Sequence, residues 1–256
     1  MNLNLEKKII IVTGGAKGIG KGIVKALASE NAIPVIVGRK EADNLKTLES
    51  IDGKGFQVVA ELTKPDECEN AVKQIVEKFN RIDGLVNNAG VNDGVGLDKG
   101  NYEQFVASLH KNLIHYYLMA HHALPYLKQS KGAIVNIGSK TAETGQGNTS
   151  AYAASNGGRN ALTREWAVEL LPYSIRVNAV IVAECYTPLY QTWIKTFESP
   201  EEKLKLITEK IPLEKRMTTP EEIANMVVFL LSDRSSHTTG QIIHVDGGYV
   251  HLDRAL

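Results

Sequence analysis

The chain has 256 residues, 29 lysines and arginines against 29 aspartates and glutamates, and 43% hydrophobic residues, which fits one large α/β domain or at most two small ones. A chain with no net charge and no basic block offers no overall field for nucleic acid or an anionic membrane. Cys68 and Cys185 are too few and too far apart for a disulfide framework, the charged N-terminus lacks a signal-peptide core, and no stretch reaches the roughly 20 apolar residues of a membrane span, so a cytoplasmic protein is expected.

Taken in chain order, short β-branched runs at 9–13, 34–37, 57–60, 84–87, 133–137, 176–181 and 241–245 alternate with helix-length segments. Runs this apolar predict strands buried on both faces of a parallel sheet. The first is followed by Thr13-Gly14-Gly15-Ala16-Lys17-Gly18-Ile19-Gly20 and then by a helix turning Ile23, Ala26 and Leu27 inward. Glycines at that turn let the backbone approach a pyrophosphate, whose charge the free amides of the helix would bind. Further on, Ala71, Val72, Ile75, Val76 and Phe79 form one apolar helical face. Residues 186–216, with Pro188, Pro200 and Pro212, break the rhythm and are expected to be a helical lid, since so short a stretch cannot enclose its own core.

The glycine spacing G-x-x-x-G-x-G resembles that of the short-chain dehydrogenase/reductase family. So do Asn87-Asn88-Ala89-Gly90, Ile134-Val135-Asn136-Ile137-Gly138-Ser139, Tyr152 thirteen residues after Ser139, Arg176-Val177-Asn178-Ala179-Val180 and Val245-Asp246-Gly247-Gly248. The resemblance covers nearly the whole chain. It implies a single α/β domain with a Rossmann-type, doubly wound, parallel seven-stranded sheet, and Gly14, Lys17, Gly18, Ile19 and Gly20 along a dinucleotide.

In that family an acidic residue at the end of the second strand selects NAD. Here the end reads Val37-Gly38-Arg39-Lys40. Arg39, with Lys40 beside it and Lys17 in the glycine loop, could pair with a 2′-phosphate, so NADP is expected over NAD. By the same resemblance Glu61 and Leu62 lie near adenine, Asn87, Ala89 and Gly90 along the adenosine side, and Thr187 at the nicotinamide amide. The Pro-Gly that usually precedes this threonine is replaced by Val182-Ala183.

The resemblance also assigns a proton-transfer group in which Ser139 holds the substrate oxygen, Tyr152 is the general acid/base and Asn112 holds a relay water. Its fourth member should be a lysine one helical turn after Tyr152, touching the nicotinamide ribose, and the chain has Asn156 there. Bringing a tyrosine from about 10 to near 7 takes about 4 kcal/mol, and a neutral amide supplies no such charge. Without compensation the phenolate fraction at neutral pH falls about a thousandfold. Arg159 shares the helical face of Tyr152, but it lies one turn too far on and is expected to point elsewhere. Lys140, directly after Ser139, is expected to be a loop residue or one standing just behind the site. Three readings of Asn156 stay open: a substitution that traps a complex, an enzyme with altered proton chemistry, and a nucleotide-binding protein without catalysis.

Around the expected hydride site stand Asn92, Asp93, Gln146, Asn148 and Glu184, with Tyr190 and Trp193 from the lid. Hydrogen-bonding side chains beside an aromatic plate suit a polyhydroxylated substrate such as a sugar. The segments 87–93, 146–150, 187–190 and 251–256 resemble the bacterial L-fucose dehydrogenase branch, which implies oxidation of a pyranose at C1 to a lactone. A carbonyl reductase for another small substrate is the alternative. His110, His115, His121 and His122 share one predicted helix without a nearby Asp or Cys, so they are expected to pack rather than to bind metal. In the family this helix and the one bearing Tyr152 pair between subunits, which implies a homotetramer.

Overall fold

A computed structural model describes residues 2–253 of the chain. The elements run β1 (Ile9–Thr13), α1 (Gly18–Ser29), β2 (Ile33–Gly38), α2 (Glu41–Glu49), β3 (Phe56–Val59), α3 (Pro65–Phe79), β4 (Gly84–Asn87), α4 (Tyr102–Leu109), α5 (His115–Ser130), β5 (Ala133–Ser139), α6 (Ser150–Glu169), β6 (Arg176–Val182), α7 (Pro188–Ile194), α8 (Pro200–Thr208), α9 (Pro220–Leu231) and β7 (Ile242–Val245). All seven strands pair in parallel in the order β3-β2-β1-β4-β5-β6-β7. The seven apolar runs are the seven strands, each end within two residues of expectation.

Alternation along β1 shows why the runs are continuous. Ile9 and Ile11 enter a core with Cys68, Ala71, Ile75, Tyr116 and Met119 from α3 and α5. Ile10 and Val12 enter a second core with Ile23 and Leu27 of α1 and Ile223 and Val227 of α9. A sheet covered on both faces leaves no polar side, so the strands read as unbroken hydrophobic segments. Burial also pushes the thiols of Cys68 and Cys185 up to about 12, which keeps both protonated.

The chain winds from β1 out to β3, then returns to place β4 on the other side of β1. Ligands of such sheets bind in the crevice outside the strand ends at this reversal. Thr13 closes its floor, its hydroxyl oxygen accepting from the amides of Asn88 and Ala89 at 2.8 and 3.0 Å. The stretch expected as a lid contains the helices α7 and α8. Among the described residues, no helix is long and apolar enough to cross a membrane.

Candidate active site

The glycine loop is shaped by what surrounds it. Gly14 and Gly18 have φ of +64° and +52°, conformations that L side chains rarely adopt. A Cβ on Gly14 would lie 3.1 Å from Ala89 Cα, one on Gly18 would lie 3.3 Å from Thr187 Cβ, and one on Gly20 would run into the Gly14 carbonyl oxygen. The fold thus gathers the loop, Ala89 and Thr187 in one place. No side chain caps α1, which begins after Lys17, whereas α4 and α9 both carry capping boxes. Uncapped first-turn amides beside a glycine cradle fit a dinucleotide pyrophosphate.

The cations at the far end of the loop have partners of their own. Lys17 Nζ lies 2.7 Å from Asp43 and its hydrogen bond holds that carboxyl below the usual range, while exposed Arg39 meets Glu61 at 3.5 Å. Lys40 is exposed. A side chain in the place of the NAD-selecting residue would require Asn44 to shift, because a Cβ on Gly38 would approach Asn44 Oδ1 to 2.5 Å. Asn44 is buried and donates to the Gly38 carbonyl and to Gln57 Oε1. No sequence feature singled it out.

Asn87 departs from expectation. It is fully buried, with its amide donating to Asn136 Oδ1 at 3.1 Å and to the Tyr116 carbonyl at 3.3 Å, so its side chain is committed to the core. Asn88 instead reaches the loop, donating to the carbonyls of Thr13 and Gly14. Gly90 lies against the side chains of Asn112 and Arg159, since a Cβ there would be 2.9 Å from each.

Helix α6 sets Tyr152, Asn156, Arg159 and Thr163 on one face by their spacing of four, three and four. Asn156 donates to the Tyr152 carbonyl at 2.8 Å and accepts from Arg159 Nη1 at 2.9 Å. The expectation that Arg159 points elsewhere is therefore corrected. The side chain runs back along the helix, its guanidinium lies 4.3 Å from the centroid of the Tyr116 ring and 6.0 Å from that of the Tyr152 ring, and the residue is 3% exposed. It also donates to the main-chain carbonyls of Asn112 and Ile137, at 2.7 and 3.1 Å.

Asn112 lies in a single π-turn, His110–Ile114, between α4 and α5. Its side-chain oxygen accepts from the Val91 amide at 2.8 Å and its nitrogen donates to the Ser108 carbonyl at 3.0 Å. Its main-chain oxygen accepts from Arg159, so Asn112 ties the loop after β4 to α6. Ser139 closes β5, its hydroxyl oxygen accepting from the amide and hydroxyl of Thr141. His115 is buried, with Nε2 3.0 Å from the Lys111 carbonyl. Burial foremost, then the charge of Arg159, depresses its pKa to about 4. Burial pushes the Tyr116 phenol up to about 12, against the pull of Arg159.

Of the residues read for substrate, Glu184 is held by Lys140, both nearly buried, with the Lys140 ammonium 4.1 Å from the Tyr249 ring centroid. Lys140 is thus an inward-facing partner of Glu184, standing behind the site rather than free in a loop. Burial and then Glu184 raise the Tyr190 phenol far above its ordinary value. Trp193, 43% exposed, meets the rings of Tyr190 and Phe197 edge-on at 5.0 Å. Asn92, Gln146 and Asn148 are exposed on a separate pair of loops, joined where the Ala151 amide donates to the Val95 carbonyl. Sequence reasoning missed Tyr249 and the group Glu143, His244 and His251, whose ligand atoms lie within 4.8 Å of one another. Positive φ at Gly247 and Gly248 turns the chain back after β7, and the spacing of the two histidines around this turn was the available signal. His121 and His122 pack with Tyr117 on α5.

A family profile described as enoyl-(acyl carrier protein) reductase matches residues 14–250. The chain belongs to the short-chain dehydrogenase/reductase family. Its relatives in that oxidoreductase family include a 3-oxoacyl-acyl-carrier-protein reductase of Thermotoga maritima, 38% identical over 97% of this chain and all of that protein. An L-fucose dehydrogenase of Bos taurus is 32% identical over 97% of this chain and 91% of its own. Among solved structures, the Cj0485 dehydrogenase superposes with a TM-score of 0.96 at 46% identity, covering 100% and 99% of the two chains. A 3-ketoacyl-(acyl-carrier-protein) reductase of Brucella melitensis, complexed with NADH, gives 0.88 at 30% identity over 96% and 100%. The family uses NAD(P).

Proposed function

We infer that the chain oxidises an aldose at its anomeric hydroxyl to a lactone, as an L-fucose dehydrogenase does, working as a cytoplasmic homotetramer. The bound NAD(P) would supply the hydride acceptor. Gly14, Gly18, Ile19 and Gly20 would hold its pyrophosphate, Ala89 and Gly90 would flank it, and Thr187 would face the amide end. Glu61, Leu62, Arg39, Lys40 and Lys17 would take the adenosine end. The absence of an acidic side chain at Gly38 and the cations Lys17 and Arg39 favour NADP, which would have to compete with Asp43 and Glu61 for them.

Within the protein, Ser139 would hold the substrate oxygen and Tyr152 would take its proton. Asn156, expected at the nicotinamide ribose, is instead buried with its amide given to the Tyr152 carbonyl and its oxygen to Arg159, so it would support Tyr152 from below and supply no charge. The observation that carries the sugar reading is the Glu184–Lys140 pair beside Tyr190, Trp193 and Tyr249: several donors and acceptors next to aromatic faces, which match a ring bearing many hydroxyls. Asn92, Gln146 and Asn148 would serve the outer hydroxyls.

The 38% identical acyl-carrier-protein reductase favours a second reading, carbonyl reduction of another small substrate. A panel of aldoses and of 3-oxoacyl thioesters, each with NADP(H) and NAD(H), separates the two. Aldose oxidation with NADP is expected, with turnover below that of lysine-bearing relatives. Turnover confined to the thioesters would replace the sugar reading, and nucleotide binding without turnover of any member would leave a non-catalytic binding protein.

A further inference from the structure

A guanidinium keeps its proton at any ordinary pH, so burying one commits a positive charge to the interior, normally opposite a carboxylate. Arg159 is 3% exposed, yet its partners are the carbonyls of Asn112 and Ile137 and the side-chain oxygens of Asn156 and Asn112, with no ion pair among the described residues. The π-turn at His110–Ile114 contributes to this arrangement by leaving the Asn112 carbonyl to accept from Nε. Carbonyl dipoles solvate the cation without neutralising it. Its field therefore reaches the groups around it.

The groups that face it are few. From α5 come His115 and Tyr116, from its own helix Tyr152, and the charge of Glu61 also acts weakly on His115. His115 is neutral above about pH 4, and Tyr116 is a buried phenol that donates to the Ile137 carbonyl at 3.0 Å. Tyr152 is half-buried and, of the two phenols, is the one at the candidate site. We propose that Arg159 is a positioning residue that supplies, from beneath Asn156, the positive charge under which the Tyr152 oxygen accepts a proton. The proposal rests on the reading of Tyr152 as the proton acceptor. In the step it serves, the substrate O–H proton passes to the Tyr152 oxygen as the C–H bond breaks and its electron pair leaves as hydride to NAD(P). Arg159 gains and loses nothing.

The test uses the full-length chain with Arg159→Met, Arg159→Lys, Asn156→Asp and Tyr152→Phe. Tyrosine ionisation is followed without nucleotide by ultraviolet difference titration against Tyr152→Phe, and the pH profile of turnover is measured with the responding substrate. Removing the charge in Arg159→Met is expected to move both the ionisation of residue 152 and the acidic limb of the profile upward by about one to two pH units. Arg159→Lys should hold both near the parent. Should Arg159→Met fail to fold, Asn156→Asp keeps the shape, sets a carboxylate against the guanidinium and must shift both upward. A folded Arg159→Met with both titrations unmoved, a loss of turnover equal at every pH, or an Asn156→Asp variant that titrates like the parent overturns the role of Arg159. Full turnover in Tyr152→Phe overturns instead the reading of Tyr152.

Discussion

Asn156 and Arg159 are in contact, so a charge introduced at the first meets one already present. Two unit charges about 4 Å apart repel by about 4 kcal/mol at the effective dielectric of most protein sites, and a flexible ammonium escapes part of this by turning away. Asn156→Lys, which sequence reasoning alone would offer as the restoring change, is therefore expected to destabilise the fold by about 1–2 kcal/mol. At about 2–4 °C per kcal/mol this is a fall in Tm of several degrees, measurable by calorimetry. In a double-mutant cycle with Arg159→Leu, the cost of Asn156→Lys should largely disappear, whatever Arg159→Leu costs alone. Equal melting of the single variant and the parent would show that residue 156 does not face the guanidinium. The family resemblance implied a lysine at 156 but gave no sign of the cation beneath Asn156, because spacing on a helix fixes the face of Arg159 and leaves open how far back its side chain reaches.

At the scale of elements, the phosphate cradle depends on close backbone approach, with α1 starting where the loop folds under it. Gly20 faces the Gly14 carbonyl oxygen with no room for a methyl group, and Gly22 backs onto Pro220 at the start of α9, where a Cβ would sit 2.9 Å from the Pro220 carbonyl oxygen. Gly20→Ala must push the loop away from the helix. Affinity for NADPH, read by fluorescence titration, should fall at least about tenfold, the equivalent of about 1.4 kcal/mol, with a smaller loss of stability. Unchanged affinity would mean that the nucleotide is held elsewhere. Strands, glycine loop and the helical stretch after β6 were legible because each leaves a local mark: a fully apolar run, a glycine spacing, a cluster of prolines. The π-turn leaves none. One extra residue in a helix changes no composition, yet Asn112, which joins the loop after β4 to α6, lies within it. The inward turn of Asn87 was equally hidden, since its partners Asn136 and Tyr116 lie 49 and 29 residues away.

For the molecule as a whole, the neutral imidazole of His115 links stability to pH. Its Nε2 meets the Lys111 carbonyl, its Nδ1 is buried without a partner, and its pKa falls from an ordinary 6.5 to about 4. Between these values the unfolded chain holds a proton there that the folded chain does not, so stability rises with pH through this window and is lost as pH falls through it. The slope is at most about 1.4 kcal/mol per pH unit, a total of about 3 kcal/mol. His115→Phe removes the titrating group and should flatten that part of the profile, at a cost of about 1 kcal/mol near neutrality for the lost hydrogen bond. Urea unfolding of both proteins at several pH values from 4 to 7 reads the difference directly, with the titrating carboxylates cancelling between them. Parallel profiles would mean that the imidazole takes up its proton in the native state, beside the very guanidinium whose uncompensated charge opposes it.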